Sequence, residues 1–463
     1  MQAPESTVNP VLLDRMRYRA DPLADATVSR ILGPWHEVAA TSSSDDALRT
    51  NAAQWQRLGA VNRLFGKWQD NRSLAGWRVE DRETPPEIAA LLEDYVRTAQ
   101  VLPAWADPAK IARAEELFIN FGVLSCLLLF CSSLPECYVI PDLSTVLHAS
   151  GQLETRTDHR IRATAAMIFP VMMQGGLTNP KGSGLAQILK VRLIHATIRN
   201  LILRGNPEAA LQAFEADSQN PAARRVLPLA SLQASTDMQQ TLYAHGWDLG
   251  DMGLPCNQEE QAYTLLTFSY VFLRSLRRLG LGLSRADEEA YLHTWNVVGH
   301  VLGLQRELMA DTMAQAAELF AAMQARGRAR QVEPDSRPAL TRALMQTMAQ
   351  VLPLRVLKPF PVLLTHYLCG RTTAKALGLR QQVPWLSRLL FAAGMLVIRA
   401  IDGTVRLVVP GFSLSRLFTR LLGDRLMAQI LLDQTRPLKL PGTLLNQVQA
   451  MVVNWRIKPK AAR

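Results

Sequence analysis

Apolar residues recur at helical spacing along most of this chain, and the clearest run is Leu185 to Leu203. Ile188, Val191, Ile194, Ile198 and Leu201 fall three or four apart there, so the pattern predicts one long helix. Gly182 and Gly184 precede it, and Gly205 with Pro207 reads as its end. Other helices are marked by their first residues. Pro86 opens one through Val101, and Asp107-Pro108 is an N-cap followed by proline at the first helical position. Asn257 with Glu260 has the capping-box pattern ahead of an apolar run, and Ser284 with Asp287 starts a helix through Leu302. Strand signals are scarce; the best is Thr404 to Pro410. No repeat is present and no Ser/Gly linker cuts the chain. The expected fold class is all-α, a single large helical bundle-like domain with peripheral extensions.

Two apolar stretches invite a membrane reading. Leu117 to Leu134 is nearly uncharged and sits at the lower length limit of a span. Its Asn120, Ser125, Ser132 and Ser133 favour a buried core helix. Trp385 to Ile398 is broken by Arg388, which leaves too short an uncharged part.

Composition adds that the chain is globular: 463 residues, 48% hydrophobic and 20% charged. The net charge of +11 is unevenly spread. Residues 351–463 hold 17 Lys and Arg against Asp402, Asp424 and Asp433, a net of +14, and the rest is slightly acidic. Basic and apolar together, with Trp385 and Trp455, suggest contact with an anionic membrane surface. A solvated face of ordinary helices is the plainer reading. Nucleic acid would call for a recognisable reading module, and none is found.

Five cysteines, Cys126, Cys131, Cys137, Cys256 and Cys369, are an odd count that argues for buried thiols in a reducing compartment. Their spacing fits no zinc or iron–sulfur pattern. The N-terminus shows no basic-then-apolar targeting pattern. The expected location is cytoplasmic, peripheral on a membrane at most.

The chemistry begins at His195. Arg192 lies one turn before it and Arg199 one turn after, so the three share one side of the long helix. An imidazole ligates a metal, and two guanidiniums suit an anion beside it. Haem has that shape, an iron to ligate and two propionates to neutralise. With no Cys-x-x-Cys-His, the cofactor would be haem b. His195 is then the proximal ligand, with Arg192 and Arg199 supporting it and the propionates. A lone packed histidine flanked by arginines is the bland alternative. His293 and His300, two turns apart beside Trp295, read as packing more than as a bis-His site. His36, His148, His159, His245 and His366 show no ligand spacing. Neither a Gly-x-Ser-x-Gly motif nor a P-loop is present.

The run Lys190-Val-Arg192-Leu-Ile-His195-Ala-Thr-Ile-Arg199 resembles the haem-ligand helix of the latex clearing proteins. It is similar to the wider family of haem oxygenases that includes the fungal mycophenolic-acid-pathway oxygenase. Two further runs, Gly253 to Phe268 and Tyr291 to Gly303, resemble the family's next blocks in order and approximate spacing. The likeness covers roughly Arg113 to Leu308. It implies a haem-binding oxygenase core with dioxygen and an apolar isoprenoid or other unsaturated lipid as co-substrates. The first and last hundred residues match only in general character, and the expected division is an N-terminal helical extension (1–105), that core (106–330) and a basic, apolar C-terminal helical region packed on it (331–463).

In that family an Arg and a Thr four apart lie on the distal side of the haem and polarise dioxygen. Arg160 and Thr164 match that spacing, with Arg162 and Ala166 as the competing register. Two departures stand out. A lysine that the family carries before the threonine is Ala163 here. Its upstream glutamate falls near Ser144, with Asp142 and Glu154 off register. The haem site therefore carries over better than rubber cleavage does, and a non-catalytic haem-binding, membrane-associated protein is the alternative.

Overall fold

The computed structural model describes residues 9–406, apart from 150–156, 218, 234, 236, 351, 353 and 380–382. Side chains are also outside the description at 123, 148–149, 157–163, 221 and 397–406. The fold is all-α, as expected. The only strands among the described residues are Arg225–Val226 and Trp247–Asp248, paired antiparallel.

Gly184–Leu203 forms one uninterrupted helix and sits at the centre. It packs against Pro22–Leu32, Thr157–Met172, Met238–Ala244 and Arg285–Val301. Its start is set by a backbone crossing. A Cβ on Gly184 would lie 2.8 Å from the carbonyl oxygen of Gly176 and 2.9 Å from that of Pro170. Only glycine lets the Thr157–Met172 helix end so close to the new one. Its end differs from the sequence reading by one residue. Arg204, not Gly205, takes the left-handed conformation (φ 49°, ψ 41°), and the Gly205 N–H returns to the Asn200 carbonyl at 3.0 Å. A non-glycine residue holds that conformation because its guanidinium is engaged. It donates to the Tyr243 and Leu227 carbonyls at 2.9 and 2.7 Å and lies over the Tyr243 ring.

The cap readings hold with small shifts. Helices run Pro86–Ala99, two residues short of Val101, Pro108–Phe121 and Arg285–Val301. Asn257 Oδ1 accepts from the Glu260 N–H at 3.0 Å. Glu260 does not complete the box; its side chain is buried instead.

Two expectations are corrected. Leu117 to Leu134 is mostly buried but is not one helix: Gly122 (φ 55°, ψ −120°) ends Pro108–Phe121, and the next helical stretch leaves at 90°. No single helix among the described residues is long and apolar enough to cross a membrane. The expected strand at Thr404 is the last turn of the helix Trp385–Arg406, whose periodicity continues into it. Residues 407–410, and with them Trp455 and most of the basic C-terminal charge, lie outside the described residues.

Candidate functional site

Every residue of the central helix is buried except six: Gln187, Lys190, Val191, Ile194, His195 and Ile198. Their spacing is i, i+3, i+4, i+7, i+8 and i+11, which is one continuous helix face. A helix enclosed on all its other sides thus keeps one half-buried face. That face is apolar in its middle, with His195 towards one end and Lys190 and Gln187 at the other.

His195 is the candidate functional residue of this face. Its Nδ1 is buried and has no hydrogen-bond partner. Burial, and then the neighbouring Arg199 guanidinium, push the imidazole down to about 4, while the Gln261 amide beside it pulls the other way. The ring is therefore neutral at neutral pH, the form that binds a metal. A buried ring nitrogen left unmatched costs roughly 1–3 kcal/mol, which a ligation or a hydrogen bond would recover. Among the described residues, no group of three or more His, Cys, Asp or Glu side chains gathers into a metal site of its own. A single neutral imidazole on an apolar, half-buried face suits haem, whose porphyrin supplies the remaining in-plane ligands. The residues present fit that group.

The two arginines behave differently from the sequence reading. Arg192 holds Asp21 through Nε and Nη2, the latter at 2.7 Å, and donates Nη1 to the Val301 carbonyl at 3.0 Å. Asp21 thus occupies the Nε–Nη2 edge of the guanidinium, and Arg192 ties the central helix to Pro22–Leu32. Arg199 is fully buried; Nε donates to Asp25 at 2.7 Å and Nη1 to the Cys256 carbonyl at 2.9 Å. Only its Nη2 stays unmatched. Burial raises the Asp25 carboxyl to about 6 against the pull of Arg199. Asp21 and Asp25 were missed in the sequence. Their one signal is Asp21-Pro22, an N-cap with a second acid one turn on, and nothing local tells such a cap from a partner for an arginine 171 residues away.

On the facing helix, Thr157–Met172, Thr164 is half-buried, and so is Ala166 of the competing register. The side chains of Arg160, Arg162 and Ala163 lie outside the described residues, as do Glu154, His148 and His159. The helix Gln258–Phe268 contributes what sequence reasoning did not see. Thr264 is its one half-buried residue; Gln261, one turn earlier, meets His195, and Glu260 lies four residues before Thr264.

Glu260 is buried with Oε1 unmatched. Burial and the Asp142 and Glu259 charges push it up to about 8, with Arg330 and Arg17 opposing. The native state therefore keeps a proton that an unfolded glutamate, with a pKa of about 4.3, has released. Stability should fall as pH rises from that value towards 8, on the order of 1 kcal/mol per pH unit. Glu260→Gln removes the titration, so its urea midpoint should gain on wild type steadily between pH 5 and 8. A constant difference across that window would show Glu260 to be ionised in the fold.

His293 and His300 pack against Trp105, as expected. His293 Nε2 accepts from the Asp107 N–H at 2.9 Å, and both His293 and His300 lie edge-on to Trp105. All five cysteines are free; four are buried, and Cys256 is half-buried with φ 50°.

Comparison with known proteins agrees with this picture. Residues 236–400 match the family described as ER-bound oxygenase mpaB/B'/Rubber oxygenase, catalytic domain. The rubber oxygenase of Streptomyces sp. (strain K30) is 24% identical over 355 residues, which are 75% of this chain and 72% of that protein. Among solved structures, latex clearing protein in its closed state superposes with a TM-score of 0.57 at 19% identity, covering 95% of this chain and 91% of that one. The fold is therefore that of the latex clearing proteins, and the resemblance read from the three sequence blocks holds.

Proposed function

We propose, from the premise that this chain carries the catalytic domain of the mpaB and rubber oxygenase family, that it is a b-type haem-dependent oxygenase. Its substrate is an apolar isoprenoid or other unsaturated lipid, oxidised or cleaved at a carbon–carbon double bond. The observation that carries this reading is the neutral, unmatched His195 on the one half-buried face of an otherwise buried helix. When bound, the haem supplies the redox-active iron that activates dioxygen. The chain's own residues then do three things. His195 holds the iron. Val191, Ile194 and Ile198 offer the macrocycle an apolar wall and keep water out. Thr164, with Arg160 on the same helix by resemblance, donates hydrogen bonds to the reacting oxygen. The helix Trp385–Arg406 leaves Trp385, Leu389 and Leu396 exposed; that surface would meet the anionic membrane or lipid phase that delivers so apolar a substrate.

The test is product analysis by mass spectrometry, under air and under nitrogen, against isoprenoids and unsaturated fatty acids. Arg160→Ala and Thr164→Ala should keep the haem spectrum yet lower oxygen-dependent turnover by about 10²–10³ where each donor stabilises developing charge. If wild type and both variants behave alike on every substrate and no oxygen is incorporated, the non-catalytic haem-binding reading replaces this one.

A further inference from the structure

Lys190 has no ion pair or hydrogen bond with any described residue, although it sits on the central helix. Its stem is half-buried on that face, and such a stem leaves the ammonium at its outer end. Burial alone pushes its amine down to about 8, and no carboxylate offsets that. One turn before it, Gln187 has a buried Nε2 that is also without a partner. Both belong to the same face as His195, Lys190 roughly 7–8 Å and Gln187 roughly 12 Å along the axis from it at 1.5 Å per residue. Both also lie in the first two turns of a 20-residue helix, where the macrodipole is positive. A cation without a partner among the described residues, an unmatched amide donor and a helix start therefore lie together on the face that carries the imidazole. Meanwhile Arg192, read from sequence as a propionate partner, is closed off by Asp21.

Resting on the haem reading above, we propose that Lys190 and Gln187 form a carboxylate-binding pair at the rim of the cofactor site, Lys190 neutralising a haem propionate and Gln187 donating a hydrogen bond to it. Such a pair would orient the ring, with the iron held by His195 and the propionate edge towards Lys190 and Gln187. A propionate then meets a cation that no other described residue has claimed.

The test is the rate of haem transfer from the loaded protein to excess apomyoglobin, followed by absorbance. Lys190→Gln should release haem about 10- to 100-fold faster, the range of a charge-assisted hydrogen bond, and Lys190→Arg should stay within a few-fold of wild type. Loading with haem dimethyl ester, which has no free propionates, should erase the difference between wild type and Lys190→Gln. That arm separates a propionate from the carboxylate of a bound fatty acid. Release from Lys190→Gln at the wild-type rate overturns the proposal, and so does an accelerated release that persists with the ester. A wild-type protein that takes up no haem at all fails the cofactor reading itself, and is recognised by its missing Soret band before any variant is compared.

Discussion

Asp21→Ala should lower the stability of the fold by about 3–5 kcal/mol, the loss expected when one partner of a buried ion pair is removed and the other is left uncompensated. Arg192 is 8% exposed and Asp21 2% exposed, so water cannot take over the missing carboxylate. Relaxation is blocked as well. Gly303 (φ 88°) brings its backbone so close that a Cβ there would meet Asp21 Oδ2 at 2.6 Å and Arg192 Nη2 at 3.0 Å. The stranded guanidinium would keep only its bond to the Val301 carbonyl. Asp21→Asn, which keeps the shape and loses the charge, should fall between Ala and wild type. The exposed pair Arg49–Asp46 serves as the contrast, since solvent screening leaves such a pair contributing little. Urea unfolding of the three proteins decides the matter. A loss below about 1 kcal/mol for Asp21→Ala would mean that Arg192 is not held by Asp21, and would return it to the propionate partners.

The central helix, its caps and the all-α class were legible because they follow from local rules: apolar spacing, prolines at first helical positions and side-chain oxygens at N-caps. His195 was legible for the same reason, since a helix face follows from sequence spacing alone. What surrounds His195 was not. The pairs Arg192–Asp21 and Arg199–Asp25 join residues more than 170 positions apart, and a sequence cannot show that an arginine's fork is already occupied. Lys190 was visible only as part of a motif. Its importance comes from having no partner among the described residues, which is a property of the packed molecule. Glu260 was misread in an instructive way, because the same Asn-x-x-Glu spacing that caps a helix also places a glutamate where it can be buried. The left-handed turn at Arg204 shows the same limit. Glycine is the local favourite, and a tertiary grip on a guanidinium overrode it.

His195→Ala is the change with the largest expected effect on function. Every other residue assigned to the site acts on the iron or the porphyrin through space, and His195 alone supplies a ligand atom. The substitution removes an enclosed, neutral ring whose Nδ1 has no protein partner, so the fold should lose little. The absorbance spectrum of protein purified after expression with haem available is the most direct measurement of the central claim. Wild type should show a Soret band, and His195→Ala should lose it while keeping its helical circular dichroism. Arg160→Ala and Thr164→Ala should both retain it. A Soret band unchanged in His195→Ala, or a colourless wild-type protein that cannot be reconstituted with haem, would contradict the account.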